Sequence, residues 1–162
     1  MNKVYNPLTG RYIKKGGKVH KKLVFSMYKP SVQNEIWISY EHYAPEIYQD
    51  LEKAYKNVDD LQADFSNVKN LQQQIREGQI RDHYRGAMRI KLYGKPRGSV
   101  YVVAEQYSPE KYNELLYAVS KPMDALKYAS ENGIENQGQE LIGNEHEYEI
   151  ADGIVAIKVE VD

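Results

Sequence analysis

The chain has 162 residues, 41% of them hydrophobic and 28% charged, with a formal net charge of -1 and no cysteine. These figures suit one folded domain with appendages, and the missing cysteines exclude a disulfide-stapled secreted scaffold and fit a reducing compartment. The opening residues lack a signal-peptide core and the longest apolar runs, such as residues 100–104, are too short to span a bilayer, so the expectation is a cytosolic or nuclear protein with no membrane span.

The near-zero net charge conceals a dipole. Residues 1–34 carry Lys3, Arg11, Lys14, Lys15, Lys18, Lys21, Lys22 and Lys29 without one carboxylate, whereas residues 131–162 hold nine carboxylates against Lys158 alone. Such asymmetry informs about partners and association rather than fold. Residues 1–30 read as a basic docking arm. In it Asn6-Pro7-Leu8-Thr9-Gly10 forms a turn, because proline presets φ and glycine accepts a positive φ; Gly16-Gly17 forms a second. The candidate partner- or phosphate-binding residues are Asn6, Pro7, Thr9, Gly10, Arg11, Ile13, Lys14, Lys15, Lys18, Lys21 and Lys22. Mutual repulsion among the cations favours an anionic counterpart, either phosphate or a carboxylate-rich surface. Tyr5, Tyr12, Ile13, Leu23, Val24, Phe25, Met27 and Tyr28 make the arm too apolar for a purely solvated tail.

The string Asn-Pro-x-Thr-Gly-Arg-x-Ile, with a glycine and then a leucine farther on, resembles the core of the two-cysteine adaptor motif of proteins of large eukaryotic DNA viruses. The matching positions are Asn6, Pro7, Thr9, Gly10, Arg11, Ile13, Gly16 or Gly17, and Leu23, with His20 where the pattern usually has tyrosine. Both flanking cysteines are absent, which removes any disulfide or cysteine-metal role. The resemblance implies a viral origin and a docking or adaptor role, and covers the arm alone.

Residues 31–162 are expected to form a single α+β domain. Residues 35–40 are β-rich. From residue 45 to 77 a heptad pattern follows: Leu51, Val58, Phe65 and Gln72 occupy one position, and Ala54, Leu61, Val68 and Ile75 its partner. With Pro45 in the first turn and Gly78 as the stop, this predicts one long helix, on the order of 50 Å in length. A break at residues 57–60, where Asn and Asp are good caps, gives two shorter helices instead. Leu51, Val58, Leu61, Phe65, Val68 and Ile75 are the expected helix interface, packed internally or against another chain as a coiled coil.

Residues 87–93 alternate Met88, Ile90 and Leu92 with Arg89 and Lys91, as a half-buried strand does, and a loop at 94–98 returns the chain into a strand at 99–105. Ser108-Pro109-Glu110 has the form of a helix start, followed by Tyr112, Leu115, Leu116 and Val119 on one face. Asp152-Gly153 signals the turn of a C-terminal hairpin. Fifteen tyrosines against two phenylalanines and one tryptophan suit surfaces half buried against partners.

Catalytic patterns are weak. The four histidines are scattered, Glu41-His42 reads as a polar junction, and Glu145-His146-Glu147 reads as a solvated strand edge. There is no nucleophile elbow and no phosphate-cradling loop. The reading is therefore a non-enzyme with no cofactor and no metal: a structural or adaptor protein of a large DNA virus, specifically a minor capsid or virion-assembly component. Its expected partners are other viral structural proteins and further copies of itself, and its expected location is the virion, with host cytoplasm or nucleus during assembly. The alternative is a nucleic-acid-associated protein in which Arg81, Arg85, Arg89, Lys91, Lys95 and Arg97 add phosphate contacts to those of the arm.

Overall fold

Strands, not helices, carry most of the described residues of the computed structural model, which are 3–6, 11–14, 34–44, 47–135 and 141–162. The chain divides into two compact units, Met1–Gln33 and Asn34–Asp162. In the first, β1 (Lys3–Asn6) and β2 (Arg11–Lys14) pair as an antiparallel ladder.

The second unit contains β3 (Asn34–Ala44), β4 (Ile47–Tyr55), β5 (Gln79–Arg81), β6 (Arg85–Tyr93), β7 (Ser99–Ser108), β8 (Lys111–Val119), β9 (Ile142–Asn144), β10 (Glu147–Ala151) and β11 (Ile154–Glu160). They form one sheet in the order β5-β6-β3-β4-β8-β7-β11-β10-β9. All these neighbours are antiparallel. The sheet also closes on itself. A short parallel pairing joins β6 to β8 at Leu92–Ala118 and Tyr93–Val119, and Ala54 of β4 bridges Val161. Strands β6, β3, β4 and β8 thus make a ring, and closure of this kind removes exposed strand edges.

The expected α+β architecture with one long helix at 45–77 is overturned. Residues 47–55 are β4, followed by two short helices, α1 (Val58–Asp64) and α2 (Leu71–Glu77). The break falls where a cap was available: Asn57 Oδ1 accepts the Asp59 N–H at 2.9 Å. Gly78, at φ 85°, ends α2 as a left-handed cap. The helical spacing within β4 has a physical origin. Against β3 its register shifts between Ser39 and Tyr40 and again between Tyr40 and Glu41, leaving Glu52 and Asp50 unpaired as bulges. Each bulge adds one residue to the strand period of two, so Tyr48, Leu51 and Ala54 share one core at a spacing of three.

The same device explains β8, which was expected to be a helix. Its register against β7 shifts at Val103/Ala104 and at Glu105/Gln106. Tyr112, Leu115 and Ala118 consequently point into one core at helical-looking intervals. The remaining strand readings match β3, β6 and β7, and Asp152-Gly153 does form the turn between β10 and β11.

Three hydrophobic clusters hold the unit together. The first fills the ring with Ile36, Ile38, Ile90, Leu92, Val100, Val102 and their neighbours. On the other face of β7 and β8 lies the second, built from Tyr93, Tyr101, Val103, Tyr117 and Val119 and covered by α3 (Asp124–Lys127) with Ala125 and Ala129. With both faces covered, Val100, Val102, Val103 and Ala104 are fully buried, which accounts for the continuous apolar run. Helices α1 and α2 cover the third, made of Trp37, Tyr55, Leu61, Phe65, Ile75, Ile80 and Ala87.

The tyrosines, expected at partner surfaces, also build these cores: Tyr40, Tyr55, Tyr93, Tyr101, Tyr112 and Tyr117 are all buried. Several hydroxyls find internal partners, as buried phenols require. Tyr117 Oη donates to the Ala125 carbonyl at 2.6 Å, and Tyr93 Oη to Glu131 at 3.0 Å while its ring stacks on Tyr128. Among the described residues, no helix is long and apolar enough to cross a membrane.

Candidate functional site

The arm supplies the candidate site. Its ladder sets Lys3 opposite Lys14, Val4 opposite Ile13, Tyr5 opposite Tyr12 and Asn6 opposite Arg11. Of the sequence-predicted residues, Asn6, Arg11, Ile13 and Lys14 are therefore held in one short hairpin. Pro7, Thr9, Gly10, Lys15, Lys18, Lys21 and Lys22 lie outside the described residues. The ladder thus sets Lys3, Arg11 and Lys14 on two paired strands.

The predicted helix interface is dispersed. Leu61 and Phe65 are buried and Ile75 nearly so in the third cluster, with Val68 packed against it, whereas Leu51 packs on the first cluster and Val58 is 39% exposed. No single stripe joins them. A charged network borders this region: Tyr55 Oη donates to Asp64 Oδ2, and Lys53 Nζ lies 2.9 Å from the same oxygen. Those two hydrogen bonds, Tyr55's first, hold the Asp64 carboxyl below its ordinary range. Burial, followed by the bond to Asp64, pushes Tyr55 up to about 12. Tyr55 is accordingly a proton donor at neutral pH, and its role is to tie α1 to β4.

The basic residues assigned to phosphate in the alternative reading separate into two groups. Arg85 is engaged by Glu52 and its guanidinium lies over the Phe65 ring at 4.8 Å; Arg89 is engaged by Glu35 at 3.1 Å and lies over Trp37. Lys91 lies over Tyr93 at 5.8 Å. Arg81, Lys95 and Arg97 remain exposed and have no carboxylate partner among the described residues.

The weak catalytic candidates acquire structural roles. His42 Nε2 is 3.1 Å from the Asp82 carbonyl and its backbone N–H donates to Tyr84 O, so the residue anchors a turn. His146 meets Glu145 at 3.4 Å with both side chains exposed, and Asn144 Oδ1 accepts the backbone N–H groups of His146 and Glu147. Among the described residues, no group of three His, Cys, Asp or Glu side chains is arranged to hold a metal ion.

No curated protein and no solved structure matches this chain. Residues 1–24, the segment that contains the β1–β2 hairpin, match the family model of the 2-cysteine adaptor domain, in a chain that has no cysteine.

Proposed function

We propose that the protein is a structural or adaptor component of a large DNA virus, a minor capsid or virion-assembly part that docks through its basic N-terminal arm. The match of residues 1–24 to the adaptor-domain family carries this reading. The missing cysteines leave the arm with turns, cations and apolar residues as its means of recognition, which suits an acidic protein surface. Residues 131–162, rich in carboxylates, make a second copy of the chain one such surface, and other virion proteins are the wider class. The protein performs no catalysis in this role and resides in the virion, passing through host cytoplasm or nucleus during assembly.

Deleting residues 1–29 tests the proposal. The truncated protein is expected to melt as the full chain does and to lose both its salt-sensitive self-association and its capture of virion proteins. Retention of partner binding at full strength overturns it. Arg11→Lys is expected to weaken docking despite the retained charge, because an ammonium cannot reproduce the two-pronged grip of a guanidinium. Nucleic acid bound by the arm with no protein partner is the outcome that moves the reading to the alternative.

A further inference from the structure

The two ends of the nine-stranded sheet are finished differently. At one end β5 lies beside α2, and Gln74 Oε1 accepts the Arg81 N–H at 2.8 Å, so a side chain occupies a backbone donor of that strand. At the other end stands β9, whose three residues are all exposed. It pairs with β10 on its inner side, and among the described residues no hydrogen bond reaches its outer side. Ile142 is 68% exposed, and Gly143 at the centre presents no side chain to shield the backbone. An uncovered edge of this kind is a template for a further strand.

The surroundings of β9 select what can add to it. Residues 128–157 contain no lysine or arginine, and the β9–β10 hairpin carries Glu145, Glu147 and Glu149. Its one histidine, His146, is 3.4 Å from Glu145. The register sets Ile142 opposite Glu149 and Asn144 opposite Glu147, so two of the carboxylates share a sheet face with residues of β9. These carboxylates disfavour pairing of β9 with its counterpart in a second copy and favour a strand that brings cations. The Met1–Gln33 unit holds such a strand. β2 carries Arg11 and Lys14, and it pairs with β1 in a two-stranded sheet of its own. Two strands alone are marginally stable in water, so a third neighbour would stabilise the hairpin as well as cover β9.

We propose that β2 of a second copy adds to the outer edge of β9, with main-chain hydrogen bonds supplying affinity and the Arg11 and Lys14 charges supplying the choice of edge. The inference rests on the docking role given to the arm and names its acceptor. The test uses the full chain in mixed samples, one copy isotopically labelled and the other not, followed by nuclear magnetic resonance. Cross-relaxation between residues 142–144 of one copy and residues 11–14 of the other is expected, with amide exchange at 142–144 slowing as protein concentration rises. Ile142→Lys, at a site exposed enough to keep the fold, should weaken self-association about fivefold, the size of the strongest cross-strand pair effects. Val58→Lys adds the same charge to an exposed apolar site on α1 and should leave association at the parental strength. Protection of 142–144 that is independent of concentration, with contacts confined to one copy, overturns the proposal, because the chain's own arm is then the occupant. Parental association in Ile142→Lys at an unchanged melting temperature, or cross-relaxation absent from 142–144, overturns it too. In those cases loss of association on deleting residues 1–29 still upholds the docking role; association that survives the deletion overturns that role and this acceptor with it.

Discussion

Arg85 grips both carboxylate oxygens of Glu52, Nε donating to Oε1 at 3.0 Å and to Oε2 at 3.3 Å and Nη2 to Oε2 at 2.9 Å, linking the two strands that flank β3. The carboxylate belongs to a bulged residue of β4, and the guanidinium plane lies over Phe65 beside α1. One side chain thus secures a bulge, a neighbouring strand and the first helix. Arg85→Lys should lower stability by about 1 kcal/mol, because lysine loses the fork and the flat stacking face while retaining the charge. Chemical denaturation of the two proteins measures it, and an unchanged midpoint would show the grip to be energetically idle.

Leu61 and Val58 belong to the same apparent heptad and have opposite environments, 0% and 39% exposed. Leu61→Ala should cost about 3 kcal/mol through the cavity left under α1. Val58→Ala should cost about 0.5 kcal/mol or less, as surface changes do. A coiled-coil seam would make the two losses similar, so thermal melts of the pair separate the architectures.

Gly86 of β6 is required by its neighbours. A Cβ there would stand 2.7 Å from the Ile80 carbonyl and 2.7 Å from the Tyr40 hydroxyl, one of them backbone and the other in a buried ring. Gly86→Ala is expected to destabilise by about 2 kcal/mol from overpacking. Tyr40→Phe in the same background should recover part of that loss, which differential scanning calorimetry of the double variant would register.

Alkaline pH should unfold the protein through its buried phenols. Burial pushes Tyr112 up to about 12, with nearby Glu147, Glu110 and Asp50 adding to it, and Tyr55 likewise reaches about 12. In the unfolded chain these groups ionise near 10.0. Between those values the unfolded state loses protons that the folded state keeps, so this stability is complete below pH 10 and declines as pH rises toward 12. The slope is at most about 1.4 kcal/mol per pH unit for each group. Denaturation midpoints across the window check the sign, and Tyr112→Phe should flatten the decline.

The sequence revealed the strands whose alternation was undisturbed. Residues 87–93 sit in β6 with the period-two pattern intact, and Asp152-Gly153 announced its hairpin because the turn is chosen locally. Strands β4 and β8 were hidden for one shared reason. Two bulges in each convert a spacing of two into three, and both strands are rich in good helix formers such as Leu51, Glu52, Lys53 and Ala54, or Glu114, Leu115 and Leu116. Pairing with distant strands decided the outcome, and single-chain periodicity carries no trace of that. The arm motif was legible as a string of residues. The fold-back of α2 was not, since Gln74 and Arg81 meet only once α2 lies beside β5.

The bridge from Ala54 to Val161 sets the order in which this unit can be completed. Asp162 N–H donates to the Ala54 carbonyl at 2.8 Å, so residues 161–162 stitch onto a strand formed more than a hundred positions earlier, while Val161 N–H donates to Gly98 O at 3.0 Å. A nascent chain emerging from the ribosome can pair β3 with β4 early, and the flank of β4 that meets Val161 stays unsealed until residues 161–162 have been made. Such long-separation contacts carry a large loop-closure entropy and slow folding. The interval before sealing is when β4 is open to pairing with the wrong chain, and when a chaperone would find this protein.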